Sequence, residues 1–343
     1  NVAGMFLLKV NDNQLVQTQG YSTEGIGANL YRYDAASSAT IDGGFTLPGI
    51  GGVLSFSGTT FNGTAGTGRF VAVDQAIADV TKFGAKPYGT FSTTIFATAT
   101  SGTPSIGDGF DSTSAMQLTM MVAQTKEVDV LLPPGLYFVT ATINLPTRAA
   151  WTSTASTLHP VMQIKGYGAE IRSNFNGPIF SHVPGSGDEA NTHTYWALNI
   201  SGIHFWGPYD FEDASAKTSA VGIFYQRGYT TTIEDCRFTR LYQGIHQDYV
   251  INGVISRCQF TECTNGIRCS EGGGGYTSLR ECRFYGDDPN GVAYWFVESG
   301  GAVENCVVEG FRAKYAVRLG SDSTSAGFVK VSQLHIECPV HYA

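Results

Sequence analysis

Ile233-Glu234-Asp235-Cys236-Arg237-Phe238 opens a pattern that comes back down the chain. An apolar residue is followed three positions later by Cys and two positions after that by a second apolar residue. The further copies are Ile255, Cys258, Phe260, then Leu279, Cys282, Phe284, then Val303, Cys306, Val308. From Cys to Cys the steps are 22, 24 and 24 residues. Ile200, Ile203 and Phe205 precede the run, and a looser copy, Val331, Leu334 and Ile336, follows it. A second series keeps step with the first. Ile223, Ile245, Ile267, Val292 and Val317 each follow a Gly or Ala, at intervals of 22, 22, 25 and 25.

Two interlocked series with a period of 22 to 25 residues, and no helix-spaced apolar pattern between them, predict one coil per repeat built from short strands. That is the signature of a parallel β-helix. A single coil cannot bury its own inner face, so equivalent apolar side chains must stack on the coils above and below, ~4.8 Å away. The four aligned cysteines then form an interior column of reduced thiols, acting as small hydrophobes for which Val or Ala would also serve.

The composition agrees with this reading. A chain of 343 residues is long for one globular core, but a solenoid grows by adding coils. Its 42 glycines, 12% aromatic and 15% charged residues suit a turn-rich all-β protein. A net charge of −8 without a basic run argues against a nucleic-acid partner. No stretch reaches ~18 continuous apolar residues, so no membrane insertion is expected. Cys258, Cys263 and Cys269 lie close together but lack a paired C-x-x-C spacing or a nearby His, so no structural zinc and no cofactor are expected.

Before the repeat the chain reads differently. Residues 1–80 carry no coil period and form an N-terminal β segment, with residues 81–343 as the parallel β-helix. Leu30, Arg32 and Asp34 alternate with Tyr31 and Tyr33, which predicts a strand. Gly25 and Gly27 do not make a nucleotide loop, because no helix pattern follows and the third Gly is missing. Ser112 or Asp111 is a candidate N-cap, and Ala115, Leu118, Met121 and Val122 recur at helical spacing, predicting an amphipathic helix over 112–124. Val128 to Val139 reads as strand, Pro-Gly turn and strand. Asn1 is no initiator, so processing or truncation is expected upstream. No polar cap is legible after the last repeat, so the solenoid is expected to continue past Ala343.

Phe83-Gly84-Ala85-Lys86, a polar loop, a short helix and then Leu132-Pro133-Pro134-Gly135-Leu136-Tyr137 resemble the opening of the pectate-lyase-like β-helix superfamily. Asn29-Leu30-Tyr31-Arg32-Tyr33-Asp34 through Gly68-Arg69-Phe70 looks like the N-terminal part of bacteriophage tailspikes. The resemblance covers roughly residues 20 to 170. It departs at Asp108-Gly109-Phe110-Asp111-Ser112-Thr113, a reduced form of the family's acidic run that follows an insertion near Pro87. It implies a right-handed β-helix with a short N-terminal capping helix, and a homotrimer on a virion tail, outside the cell. The N-terminal segment would face the particle and other tail proteins. The partner would be a bacterial surface polysaccharide, capsule or O-antigen.

Outward residues of aligned coils form columns, where a site is to be sought. Asp235, Arg257, Glu281 and Asn305 stand just before the cysteines. Their alternating charges suit a plain salt-bridge ladder. The same geometry suits glycoside hydrolysis, which needs two carboxyls, ~6.5 to 9.5 Å apart for inversion. Asp235 and Glu281 stand two coils, ~9.6 Å, apart at the backbone. They are the candidate catalytic pair, with Glu234 and Glu304 in reserve. Arg257 between them would hold an acidic sugar or keep one carboxylate ionised. Trp206 and Tyr209, in an expected loop excursion, and Trp295, outward by alternation, are candidate sugar platforms.

Other readings stay open. A lyase would need clustered acidic calcium ligands, and Asp287-Asp288 is the only adjacent Asp pair. His159, His182 and His193, read as loop residues, are solvated side chains before they are a metal site. A non-catalytic adhesin or structural virion component, or a secreted bacterial glycan-degrading enzyme, would carry the same fold.

Overall fold

The repeat becomes three short strands per coil. The structure is a computed structural model, which describes residues 2–21, 27–57, 60–87, 111–145, 149–151, 162–183, 195–208, 219–270, 275–286, 288, 290–297, 299–310, 314–320 and 327–337. It divides into two units, residues 1–138 and 139–343.

In the first unit four antiparallel strands lie in the order Leu15–Gln17, Leu30–Asp34, Thr67–Ala72, Thr46–Ile50. The alternation around Tyr31 and Tyr33 is as expected: both rings are buried, while Leu30 and Arg32 face out. Their hydroxyls donate to the carbonyls of Gly44 at 3.0 Å and Thr67 at 2.9 Å, which lets two phenols sit in a core. Burial raises the Tyr31 hydroxyl to about 12. Strand Ile77–Asp79 pairs in parallel with Asp129–Leu131.

The predicted helix runs from Thr113 to Lys126. Ser112 is its first cap residue, but its hydroxyl makes no capping bond. Asp111 instead accepts the Thr113 N–H at 2.9 Å. Glu127, in the left-handed region at φ 59°, ends the helix. Its buried face is broader than the expected stripe. Met116, Thr119, Met120 and Ala123 are buried with Leu118 and Val122, while Ala115 and Met121 are half-buried. Thr119 tolerates this because its hydroxyl donates to Ala115 O at 2.7 Å.

The second unit holds three parallel rows of strands. One row is a seven-stranded sheet: Ile143–Asn144, Pro178–His182, Val221–Gln226, Gln243–Asp248, Asn265–Ser270, Val292–Phe296 and Tyr315–Leu319. The other two rows are joined by a bend. Thr232–Glu234, Gly253–Ser256, Tyr276–Arg280, Gly300–Glu304 and Val329–Ser332 stack in one. Arg237–Thr239, Gln259–Thr261, Arg283–Tyr285, Val307–Glu309 and His335–Glu337 stack in the other.

The first series forms two inward columns in the expected register. Ile200, Ile233, Ile255, Leu279, Val303 and Val331 make one. Phe205, Phe238, Phe260, Phe284, Val308 and Ile336 make the other. The rings of Phe205, Phe238 and Phe260 stack at 5.2 and 4.9 Å with planes 8° apart. Stacking adds ~0.5–1.5 kcal/mol per pair to what burial contributes.

The second series slips at one place. Ile223, Ile245 and Ile267 align, but their next partner is Tyr294 and not Val292, followed by Val317. Gly291-Val292 imitates the Gly-Ile pairs by sequence. In the first three coils glycine precedes the Ile for a steric reason: a Cβ on Gly222, Gly244 or Gly266 would come within 2.6, 2.4 or 2.9 Å of Phe238, Phe260 or Phe284. These glycines make room for the ring stack. All four column cysteines are buried and free. They are more than small hydrophobes. Cys258 Sγ donates to Ser256 O at 3.4 Å and Ile233 O at 3.7 Å, and Cys282 and Cys306 repeat this one coil on each time.

Candidate functional site

The column of Asp235, Arg257, Glu281 and Asn305 sits at the bend between two strand rows. All four are in the left-handed region, at φ 51–55°, as are Gly202 before them and Gln333 after. One such residue per coil turns the chain from one row into the next. Gly, Asn and Asp accept that conformation readily, while Arg257 and Glu281 do so at some cost. Each backbone N–H donates to the next coil: Asp235 to Ser256 O at 3.1 Å, Arg257 to Arg280 O at 2.9 Å, Glu281 to Glu304 O at 3.0 Å. Asp235 and Glu281 are therefore two strand spacings apart, ~9.6 Å at the backbone.

Their surroundings differ. Arg257 grips Asp235 with two bonds, Nε to Oδ1 at 2.7 Å and Nη2 to Oδ2 at 2.9 Å, and also reaches Glu234 Oε2 at 2.8 Å. These hydrogen bonds lower the Asp235 carboxyl below its ordinary value and raise the guanidinium. Glu281 is exposed, and among the described residues no ion pair reaches it. Glu304 pairs with Arg280 at 3.4 Å and Lys330 at 3.6 Å, so both reserve carboxylates are held in ion pairs at strand ends.

The aromatic candidates need correction. Trp206 is not in a loop but is the last residue of strand Leu198–Trp206, aligned between Arg172 and Thr239. Arg172 lies 4.5 Å and Arg240 5.8 Å from its ring centroid. Tyr209 lies outside the described residues. Trp295 points outward as expected, yet it is no bare platform. Arg268 from the preceding coil lies 4.8 Å from its ring and Arg318 from the following coil 4.4 Å, and its indole N–H donates to Gly320 O at 2.8 Å. His182 is buried in strand Pro178–His182, against the loop position expected, with Nδ1 2.7 Å from Gln226 O. His159 and His193 lie outside the described residues.

Two outward clusters escaped the sequence reading. In the first, Glu170 pairs with His204 Nδ1 at 3.1 Å and with Arg172 Nε, while His204 Nε2 meets Thr239 Oγ1 at 2.9 Å. Burial would raise the Glu170 carboxyl, but the bonds from His204 and Arg172 outweigh it and the net shift is downward. Glu170 is thus a held anion and not a proton donor.

The second cluster is on the seven-stranded sheet. His246 Nε2 lies 2.7 Å from Ser270 Oγ and 3.0 Å from Asp248 Oδ1, and Ser270 donates directly to Asp248. A Ser-His-Asp relay needs Asp on one ring nitrogen and Ser on the other. Both meet the same nitrogen here, so this trio is a polar clasp. Asp248 is also held below its ordinary value, because His246, Ser270 and Arg268 outweigh its burial. Among the described residues no group of three or more His, Cys, Asp or Glu is placed to hold a metal ion.

Phe224, His246, Arg268, Trp295 and Arg318 align as one outward column of flat side chains, one per coil. Each follows an inward residue of the second series by one position. The period already in hand could have found them, had Tyr294 and not Val292 been placed in that series.

A polar-faced solenoid of three parallel strand rows, with columns of charge and aromatic rings outside, defines the class as a parallel β-helix protein. The chain belongs to the right-handed β-helix region family, which matches residues 163–336. Among solved structures, it is similar to the tailspike protein of Acinetobacter baumannii phage AM24, with a TM-score of 0.60 and 16% identity over 98% of this chain and 54% of that one. It also matches, at a TM-score of 0.46 and 13% identity over 95% of this chain and 45% of that one, Pantoea stewartii WceF, described as a glycan biofilm modifying enzyme. The chain spans about half the length of these two proteins. No curated protein matches it by sequence.

Proposed function

We propose that this chain is the β-helix of a tailspike-like receptor-binding protein that grips bacterial surface polysaccharide and cleaves it by glycosidic hydrolysis. The reading rests on one observation above the fold itself: Arg257 holds Asp235 ionised, two coils from an exposed Glu281 in the same bend column. An inverting hydrolase needs one carboxylate kept as base and one carboxyl free to act as acid, with room for water between. In that scheme Asp235 takes a proton from water, whose oxygen attacks the anomeric carbon. Glu281 gives its proton to the departing glycosidic oxygen. The likeness to the AM24 tailspike supports the fold of such a protein. By resemblance the full protein is a homotrimer of the virion tail, outside the cell, with the N-terminal side toward other tail proteins.

The test is to incubate the protein with purified capsule or O-antigen and assay new reducing ends. Asp235→Asn and Glu281→Gln should each lower the rate at least ~100-fold while binding persists. Wild-type rates in either variant would remove the pair.

A second reading, a non-catalytic adhesin, is favoured by a specific feature of the same site: both Asp235 oxygens are already occupied by Arg257. Polysaccharide binding with no reducing ends released would select it.

A further inference from the structure

The first outward cluster is arranged for more than tying coils together. Glu170, His204 and Thr239 come from three successive coils, on strands Met162–Ser173, Leu198–Trp206 and Arg237–Thr239. Glu170 Oε2 lies 3.1 Å from His204 Nδ1, and Thr239 Oγ1 lies 2.9 Å from His204 Nε2. Arg172 also bonds Glu170, and the two partners keep it ionised. An ionised carboxylate only accepts, so the neutral imidazole carries its proton on Nδ1. Its Nε2 is then a lone pair, and the Thr239 hydroxyl donates to it. Among the described residues that hydroxyl has no second partner. This is the order of carboxylate, imidazole and hydroxyl that the trio at His246 lacks, where Ser270 and Asp248 share one nitrogen. The ladder does not impose it, because the register partner of His204 on the next coil is Arg237, and the imidazole reaches diagonally to Thr239.

We propose that Thr239, His204 and Glu170 form a nucleophilic relay that hydrolyses short carboxylic esters, and that its substrate is an O-acetyl group on a bacterial surface polysaccharide. The relay stands on its own geometry, while the substrate rests on the glycan-binding reading above and deepens it with a second activity. Thr239 Oγ attacks the ester carbonyl carbon as its proton passes to His204 Nε2. The bond from that carbon to the sugar oxygen breaks, and the sugar oxygen takes the proton from His204. Water then gives a proton to His204 and attacks the acyl-threonine; acetic acid leaves and the proton returns to Thr239 Oγ. Glu170 touches no reacting atom and acts as a positioning residue, holding the imidazole in the productive tautomer. Thr239 is only 8% exposed, so a short acyl group fits where a long one does not. Trp206, its register partner, stands on the same outward face beside His204, with ring centroids 5.5 Å apart, and offers the sugar a flat edge. The adjacent backbone N–H groups are already committed, Gly207 to Thr239 O and Arg240 to Thr261 O, so turnover depends on the relay and is slow.

The test follows hydrolysis of p-nitrophenyl acetate by the full chain, and then acetate release from purified O-acetylated polysaccharides. The expected result is saturable turnover of the aryl acetate above the buffer rate, with the octanoate ester at least ~10-fold slower. Thr239→Val nearly keeps the shape but removes the hydroxyl, and it and His204→Gln should each lower kcat at least ~100-fold. Thr239→Ser restores a hydroxyl at that position and should keep turnover within ~10-fold of wild type. Glu170→Gln should lower kcat at least ~10-fold with KM unchanged, a split that a merely structural role would not give. Acid quenching during turnover should trap the acetyl group on the peptide that carries Thr239. Circular dichroism checks that each variant keeps its strands. No turnover above buffer in the wild type, or wild-type rates in Thr239→Val, overturns the relay; polysaccharide binding by calorimetry then shows whether the glycan reading survives. Aryl acetate turnover by protein that binds no polysaccharide overturns that reading and the named substrate, while the relay stands.

Discussion

A thiol and a left-handed bend share each repeat, and together they explain the residues first noticed. The bend residue turns the chain between rows, and the cysteine after it fills the inner corner while its S–H meets a carbonyl of its own coil and, from Cys258 on, one of the coil before. Val or Ala would fill the corner but leave those carbonyls one donor short. Burial raises Cys263 and Cys269 to about 12, so neither is a thiolate at neutral pH, and all six described cysteines are shut away from solvent. The six described cysteines should therefore resist a thiol-titrating disulfide reagent in native protein and react on unfolding in guanidinium. Rapid modification without denaturant would contradict the buried column. In the same bend, charge selects the residues as much as conformation does. Arg257 is a poor left-handed residue, but it ties its own coil to Glu234 and Asp235 of the coil before.

At the scale of the strand, the Gly-Ile pairs and the phenylalanine stack are one device. A Cβ on Gly244 would sit 2.4 Å from Phe260 and would force the ring out of its stack. Gly244→Ala should cost ~1–3 kcal/mol, read from the urea midpoint. Phe260→Ala alone should cost ~3–5 kcal/mol, and the double variant should cost less than the sum of the two. Additive losses would show that the glycine and the ring are independent. Val292 lies outside this device, because Ala293 and not a glycine precedes the inward Tyr294. The apolar period identifies which residues face in, but a longer connection before Val292 shifts the count by two, and only strand pairing shows that Tyr294 takes the place.

For the whole molecule, acid is the informative stress. Glu170 and Asp248 both titrate below their ordinary values of 4.5 and 3.8 in the folded state. A depressed carboxyl contributes stability above its unfolded value and loses it as pH falls through the folded one. The thermal midpoint should therefore drop as pH falls below the ordinary carboxyl values, and Glu170→Gln should flatten the upper part of that drop. A variant curve parallel to wild type would show that the His204 and Arg172 bonds to Glu170 do not support the fold. Both carboxylates sit in clusters that join separate coils, so their loss should loosen the solenoid along its axis.

Periodicity by itself determined the solenoid, its inward columns, the buried thiols, and the alternation of Tyr31 and Tyr33. Each of these depends on which side of a strand a residue faces, and a period states that directly. The placement of Asp235, Arg257 and Glu281 on one column was legible for the same reason. Tertiary structure alone decided that Arg257 closes on Asp235 and leaves Glu281 open, and that Trp206 belongs to a strand. It also decided that Trp295 is covered by two guanidiniums, and that Glu170 meets His204 from the next coil. Those facts depend on rotamers and on contacts between residues 22 to 35 positions apart, where a few tenths of an ångström separate an ion pair from a free charge. The ladder that began as a fold signal is thus complete only in part, and its open rung at Glu281 is a feature that no repeat could announce.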